Sequence, residues 1–216
     1  MRIVEIFQSI DGEVNGFFQA GLTIFVRTAG CNLSCDYCDT QYAQNESNGN
    51  NWTIKQILDR VCELQIPKVT ITGGEPLLQS DIYILINRLL ELKYKISVET
   101  NGTIQIPKYW LEEKNISWIL DYKLQYQEKM NEENYRYLLP KDWIKFVLHF
   151  PSQINEVLDI KNKMVDMSCK ANFAISPVFN NNLKGKEIQQ YIDGLIKLKM
   201  FDFVINLQLH KFINVK

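Results

Sequence analysis

Three cysteines within eight residues, Cys31-Asn32-Leu33-Ser34-Cys35-Asp36-Tyr37-Cys38, are the segment of this sequence best suited to chemistry. Thiolates at C-x3-C-x2-C reach three corners of an iron–sulfur cubane if the loop wraps around it. Such clusters are ordinarily held by four cysteines, so three leave one iron with an open position where a small molecule can be bound and activated. Zinc is the competing reading, but a structural zinc site closes four ligands, usually as two separated pairs. Here the fourth ligand is missing locally, and the two histidines, His149 and His210, are far away in sequence. Of the 5 cysteines, the other two, Cys62 in a helical pattern and Cys169 before a strand, read as packing residues.

Other polar groups sit just after apolar runs. They are Arg27 before the cysteines, Thr72-Gly73-Gly74-Glu75, Glu99-Thr100-Asn101-Gly102, Asp121-Tyr122-Lys123, Ser176-Pro177 and His210-Lys211. Two adjacent glycines let backbone approach a ligand closely, and the carboxylate beside them suits a positively charged amino group. Taken alone, the same segment is a strand-to-helix turn. Arg27 offers a fixed fork of donors for a planar carboxylate, or is a surface arginine at a strand end. Glu13 could equally be a solvated loop carboxylate. Lys123 and His210 are ambiguous, since a histidine near a strand end is often only hydrogen-bonded structure.

The elements that must position these groups follow from the apolar pattern. β-Branched and aromatic runs recur at 23–27, 68–72, 95–99, 117–121, 144–149, 172–176 and 203–207. Most are nearly continuous, as parallel strands buried on both faces would be. Helical spacing fills 53–64, with Thr53 as N-cap, and also 81–92, 152–164 and 185–199. Residues 41–51 read as an exposed polar loop, and 124–141 as loop or short helix. This alternation predicts an α/β fold with a parallel sheet in one domain over 1–216. Six polar segments on one edge of the strands predict a partial, open β/α barrel, whose chemistry collects at the C-terminal face. A doubly wound sheet is the alternative, and it too places ligands at strand ends.

Composition narrows the class. Hydrophobic residues make up 46% and charged residues 23% of 216, ordinary for a globular chain. Lys+Arg 24 against Asp+Glu 25 gives a net charge of -1, which argues against a nucleic-acid or membrane-surface binder. Residues 1–7 show no leader pattern, and no apolar run is long enough to span a bilayer, so a cytoplasmic location is expected.

The cysteine motif, with an aromatic residue before its last cysteine, resembles the radical S-adenosylmethionine superfamily, and Thr72-Gly73-Gly74-Glu75-Pro76 resembles its Gly-Gly-Glu-Pro segment. Over most of its length the chain is similar to the 7-carboxy-7-deazaguanine synthase family. The similarity rests on Glu5-Ile6-Phe7-Gln8-Ser9-Ile10-Asp11-Gly12-Glu13, Phe25-Val26-Arg27, Gly30-Cys31-Asn32-Leu33 and Cys38-Asp39-Thr40. It continues through Glu99-Thr100-Asn101-Gly102, Asp121-Tyr122-Lys123, Ser176-Pro177-Val178-Phe179 and Gln208-Leu209-His210-Lys211. What the resemblance implies is conversion of 6-carboxy-5,6,7,8-tetrahydropterin to 7-carboxy-7-deazaguanine with loss of ammonia, in queuosine and deazapurine biosynthesis. The reduced [4Fe-4S] cluster cleaves S-adenosylmethionine, and the resulting 5'-deoxyadenosyl radical takes the C6 hydrogen. Magnesium, a reducing partner such as flavodoxin, and a homodimer are implied with it.

Site roles carry over by the same resemblance. Cys31, Cys35 and Cys38 would hold the cluster, and Tyr37, Cys38 and Asp39 would line the adenine side of the cofactor. Gly74 and Glu75 would meet its methionine end, Glu99 its ribose, and Asp121, Tyr122, Lys123 and Ser176 further edges. Ile10, Asp11, Gly12, Glu13, Arg27 and Thr72 would hold the pterin and its carboxylate, and Thr40 would ligate magnesium, a hard ion that takes oxygen ligands. Three departures stand out. Val14 follows Gly12-Glu13 where many members carry another glycine, Asp121-Tyr122-Lys123 replaces a common Ser-Pro-Lys, and no Trp with a short tail follows Phe212-Ile213-Asn214. Within the superfamily, an activating enzyme that plants a glycyl radical on a partner is the second reading; a non-catalytic zinc-binding module is the third.

Overall fold

A computed structural model describes residues 1–179 and 185–215. Its strands are β1 (Arg2–Ile10), β2 (Leu22–Thr28), β3 (Asn50–Asn51), β4 (Lys68–Gly73), β5 (Lys95–Thr100), β6 (Ile116–Lys123), β7 (Trp143–Leu148), β8 (Asn172–Pro177) and β9 (Phe203–Ile205). The helices are α1 (Ile54–Leu64), α2 (Ile82–Glu91), α3 (Lys108–Glu112), α4 (Ile154–Asp166), α5 (Gly185–Lys197) and α6 (Leu209–Phe212). The strands form one sheet in the order β3-β1-β2-β4-β5-β6-β7-β8-β9. From β2 onward all neighbours are parallel, while β1 runs antiparallel to both β2 and β3. The parallel strands follow in chain order without the reversal that a doubly wound sheet requires. The sheet is an open, partial barrel, with β3 and β9 as its edges.

All seven expected strands belong to the parallel set, but β1 and the two-residue β3 were not read from the sequence. Residues 2–10 lack a clean alternation, and the strand is mostly half-buried. The stretch expected as loop at 41–51 holds two 3-10 turns besides β3, and 124–141 is two 3-10 segments, Leu124–Lys129 and Glu132–Tyr137. Helix α1 begins as expected: the Thr53 hydroxyl accepts from Gln56 N at 3.2 Å, and the Gln56 side chain accepts from Thr53 N at 2.9 Å.

The strands are not apolar on both faces. One set of side chains, Ile24 and Val26, Val69 and Ile71, Ile96 and Val98, Trp118 and Leu120, Ile144 and Phe146, joins a single core with Ile57, Val61, Leu85, Ile86, Leu89 and Val157 of the helices. Each such side chain contributes roughly 1.5–3 kcal/mol when fully buried. The alternate set, including Arg27, Thr72, Glu99, Asp121, Lys123 and Lys145, points into the barrel, as a two-residue period dictates.

Residues 11–20 close the far end of the barrel, bonded to the starts of β4 and β6 and to Asn206 just after β9. Lys68 Nζ sits 2.7 Å from Asp11 Oδ2 and 2.9 Å from Asn15 Oδ1, and the Thr70 hydroxyl donates to Asp11 Oδ2 at 2.8 Å. Val14 N donates to Asn206 Oδ1 at 2.9 Å, and Gly16 N to Ser117 Oγ at 2.8 Å. These bonds fix where Gly12 and Glu13 stand.

Candidate active site

The cysteine loop leaves the end of β2 and is held on both sides. Gly30 N and Cys31 N donate to Ala43 O and Gln44 O at 2.8 and 3.0 Å. Asn101 Nδ2, just after β5, donates to Asn32 Oδ1 at 2.8 Å, and the Tyr126 hydroxyl donates to Ser34 O at 2.8 Å. Glu75 N donates to Gly30 O at 2.7 Å. The two glycines before it allow this approach: a Cβ at Gly73 would run into Thr28 O, and one at Gly74 into Gly30 O. Gly73 also has φ +144°, a region that L side chains rarely enter. Their demand is therefore close contact with the end of β2 at Gly73 and with the start of the cysteine loop at Gly74, although both also face the cavity.

A cavity of about 370 Å³ opens at the C-terminal strand ends. Cys31, Cys35 and Cys38 all line it, together with Tyr37, Asp39, Thr40, Gly74, Glu99, Asp121 and Lys123. Ile10, Asp11, Gly12, Glu13, Arg27 and Thr72 line it as well. Burial raises the Cys31 and Cys35 thiols above their ordinary range, with the neighbouring cysteines adding to the rise and Lys123 opposing it at Cys35. Thiols that feel one another in one cavity are the donor set a thiolate-held cluster requires. Among the described residues, no three His, Cys, Asp or Glu side chains gather as ligands of a single ion would.

Three expected residues do not reach the cavity. Glu75 is fully buried, and its carboxylate accepts from Leu77 N at 3.0 Å, the Thr100 hydroxyl at 2.8 Å and Asn101 N at 2.7 Å. Burial outweighs these donors and pushes it up to about 7. Glu75 thus ties the β4 end to the β5 end beneath the cysteine loop. Tyr122 lies between Asp121 and Lys123, so the pleat turns it outward, where its ring packs 5.2 Å from Phe146. The Ser176 hydroxyl is taken by Asn206, whose Nδ2 donates to it at 3.1 Å.

Sequence reasoning assigned no role to several residues that complete the site. Glu5 accepts from Arg27 Nε at 2.9 Å, and the guanidinium carbon lies 5.8 Å from the Phe7 ring and 6.0 Å from the Tyr42 ring. Lys145 pairs with Glu13 and, at 2.9 Å, with Asp121 Oδ1. From α6, Lys211 pairs with Asp39, and Gln208 bridges Glu13 and Asp39 at 2.9 and 3.1 Å. Burial would raise Asp39, but Lys211 and then Gln208 outweigh it and hold the carboxyl below its usual range. Glu99 behaves oppositely: burial, then the charge of Asp11, pushes it up to about 8 despite the Thr72 hydrogen bond.

The Radical SAM superfamily profile matches residues 25–116, from β2 through the start of β6. A 7-carboxy-7-deazaguanine synthase of Clostridium acetobutylicum is 36% identical over 98% of this chain and 95% of its own length. The chain belongs to the 7-carboxy-7-deazaguanine synthase family. A member from Methanospirillum hungatei is 32% identical over 100% of this chain and 86% of its own. Among solved structures, SuiB of Streptococcus suis superposes with a TM-score of 0.61 at 19% identity, over 84% of this chain and 47% of that one. This likeness is one of fold: the open barrel is that of radical SAM enzymes. Membership in the synthase family identifies the chain as a radical SAM enzyme and sets aside both the activating-enzyme and the zinc-module readings. No helix among the described residues is long and apolar enough to cross a membrane.

Proposed function

We propose that this enzyme, reading the chain as one domain, converts 6-carboxy-5,6,7,8-tetrahydropterin to 7-carboxy-7-deazaguanine with loss of ammonia, in deazapurine biosynthesis. The observation that carries this reading is family membership over 98% of the chain, joined to a cavity that three cysteines share with Arg27 and Glu13. Cys31, Cys35 and Cys38 would hold the [4Fe-4S] cluster. When bound, cluster and S-adenosylmethionine supply a carbon radical able to take a hydrogen atom from the substrate.

The chain's own residues bind and orient. Tyr37, Asp39, Gly74, Glu99 and Lys123 surround the cofactor's place, with the Gly73-Gly74 backbone as the approach surface and Glu75 as its support rather than a ligand. Arg27 meets the substrate carboxylate with a planar donor fork. Glu5 holds its Nε, and two aromatic rings flank it, so little orientational freedom is lost on binding. Glu13, with both oxygens engaged by Lys145 and Gln208, accepts from the amino end of the pterin. Thr40, whose hydroxyl lies 3.6 Å from Cys38 Sγ, is the protein ligand for magnesium in this reading. A one-electron reductant such as flavodoxin and a homodimer complete it.

An anaerobic reaction with reconstituted protein, reductant, S-adenosylmethionine, magnesium and the tetrahydropterin, read by mass spectrometry, tests the assignment. Product of the deazaguanine mass, abolished in Cys35→Ala together with the visible cluster absorption, supports substrate and cluster at once. Accumulation of 5'-deoxyadenosine without that product leaves the radical machinery standing and removes the substrate.

A further inference from the structure

Among the described residues, Lys145 is the one cation of the cavity wall that pairs with two carboxylates from different elements. It is only 4% exposed and lies in the middle of β7, directly across from Asp121 in the β6–β7 register. Its ammonium pairs with Asp121 Oδ1 at 2.9 Å and with Glu13 Oε2 from the 11–20 segment. Asp121 Oδ2 lies 3.4 Å from Lys123, on the cysteine side, and Glu13 Oε1 accepts from Gln208 on the α6 side. The result is an alternating row, Lys123, Asp121, Lys145, Glu13, that crosses the cavity from the cluster side to the substrate turn. Lys68, which pairs with Asp11 below, does not border the cavity; Lys145 does.

Without the ammonium, Glu13 and Asp121 would face each other as like charges in a poorly solvated interior that already holds Glu99. One of them would then protonate or turn away. Glu13 lies outside the sheet, where only side-chain bonds hold its segment, whereas Asp121 is fixed in a paired strand. We propose that Lys145 is a positioning residue that holds Glu13 to the end of β6, and so sets the distance between the bound substrate and the cofactor. This rests on the proposed function. The row makes the substrate turn and the cofactor strand a single unit: a shift at one is transmitted through one ammonium to the other.

The test is Lys145→Met in the reconstituted enzyme, read by KM for the tetrahydropterin, by the ratio of deazaguanine product to 5'-deoxyadenosine, and by fluorescence titration with the unreactive analogue 6-carboxypterin. Loss of geometry of this kind costs about 100-fold in kcat/KM. We expect most of it in a KM and a 6-carboxypterin Kd raised roughly tenfold or more, with 5'-deoxyadenosine formed in excess of product. Lys145→Arg, which can span both carboxylates, should restore the native excess of product over 5'-deoxyadenosine. If Lys145→Met does not fold, Lys145→Gln, which can still donate to one carboxylate, should fold and show a raised 6-carboxypterin Kd with 5'-deoxyadenosine in excess of product. A folded Lys145→Met enzyme with unchanged KM and unchanged ratio overturns the inference and leaves the substrate assignment intact. A native enzyme that makes no product and does not bind the analogue overturns both.

Discussion

The barrel interior holds two sets of buried charges, and they are built differently. At the closed end, Lys68 is used by Asp11 and Asn15, and Asp11, which also reaches the cavity, is used by Lys68 and Thr70. At the open end, Arg27, Glu13, Lys123, Lys145, Asp121 and Asp39 are also paired, but every one of them borders the cavity. Buried charge is costly unless paired in either place. The difference lies in what borders open space: Lys68 and Asn15 stay off the cavity, whereas all six charges at the mouth line about 370 Å³ where a ligand can complete them. Burial alone does not mark a functional charge; burial beside a cavity does.

The sharpest way to break this comparison is Lys68→Met. Removing one partner of a buried pair costs about 3–5 kcal/mol, so urea unfolding should show a large loss of stability. The folded fraction should keep its KM; a raised KM with unchanged stability would place Lys68 with the mouth instead. Arg27→Lys should do the reverse. The loss of a bidentate fork should raise KM roughly tenfold, with the unfolding midpoint little changed. An unfolding midpoint lowered as far as in Lys68→Met would make Arg27 a structural pair with Glu5.

A smaller effect separates the sets by pH. The folded-state value for Glu99, about 8, lies above its ordinary 4.5. A raised value means the folded protein holds the proton more tightly. The stability Glu99 contributes is fully present below about pH 4.5 and lost as pH rises through about 8. Glu75, raised to about 7, acts in the same direction over a lower window. The melting temperature should therefore fall between pH 6 and about pH 9, and Glu99→Gln should flatten that fall. Parallel curves for the two proteins would mean that Glu99 is already ionised at neutral pH.

Much of this molecule was legible residue by residue. The apolar runs at 68–72 and 95–99 are strands because β-branched residues fit a pleated, half-buried surface, and the polar residues that follow them mark strand ends. The runs read as apolar on both faces, but in Lys68-Val69-Thr70-Ile71-Thr72 only Val69 and Ile71 join the core, while Thr70 donates to Asp11 and Thr72 lines the cavity, partners that lie far away in sequence. For β1, Glu5 and Phe7 only acquire meaning opposite Arg27 and Phe25, an antiparallel register that no local pattern announces.

By itself the sequence determined the three-cysteine loop, the parallel strands and the family. These depend on spacing within one segment or on periodicity, and both are local. Tertiary structure alone decided that Glu75 supports the cysteine loop instead of facing the cavity, that Tyr122 turns away from it, and that Lys145 stands between Glu13 and Asp121. Lys145 and Glu13 are separated by 132 residues, and an ion pair of that span leaves no periodic trace in the chain. It exists only because the fold brings the segment after β1 against the middle of β7.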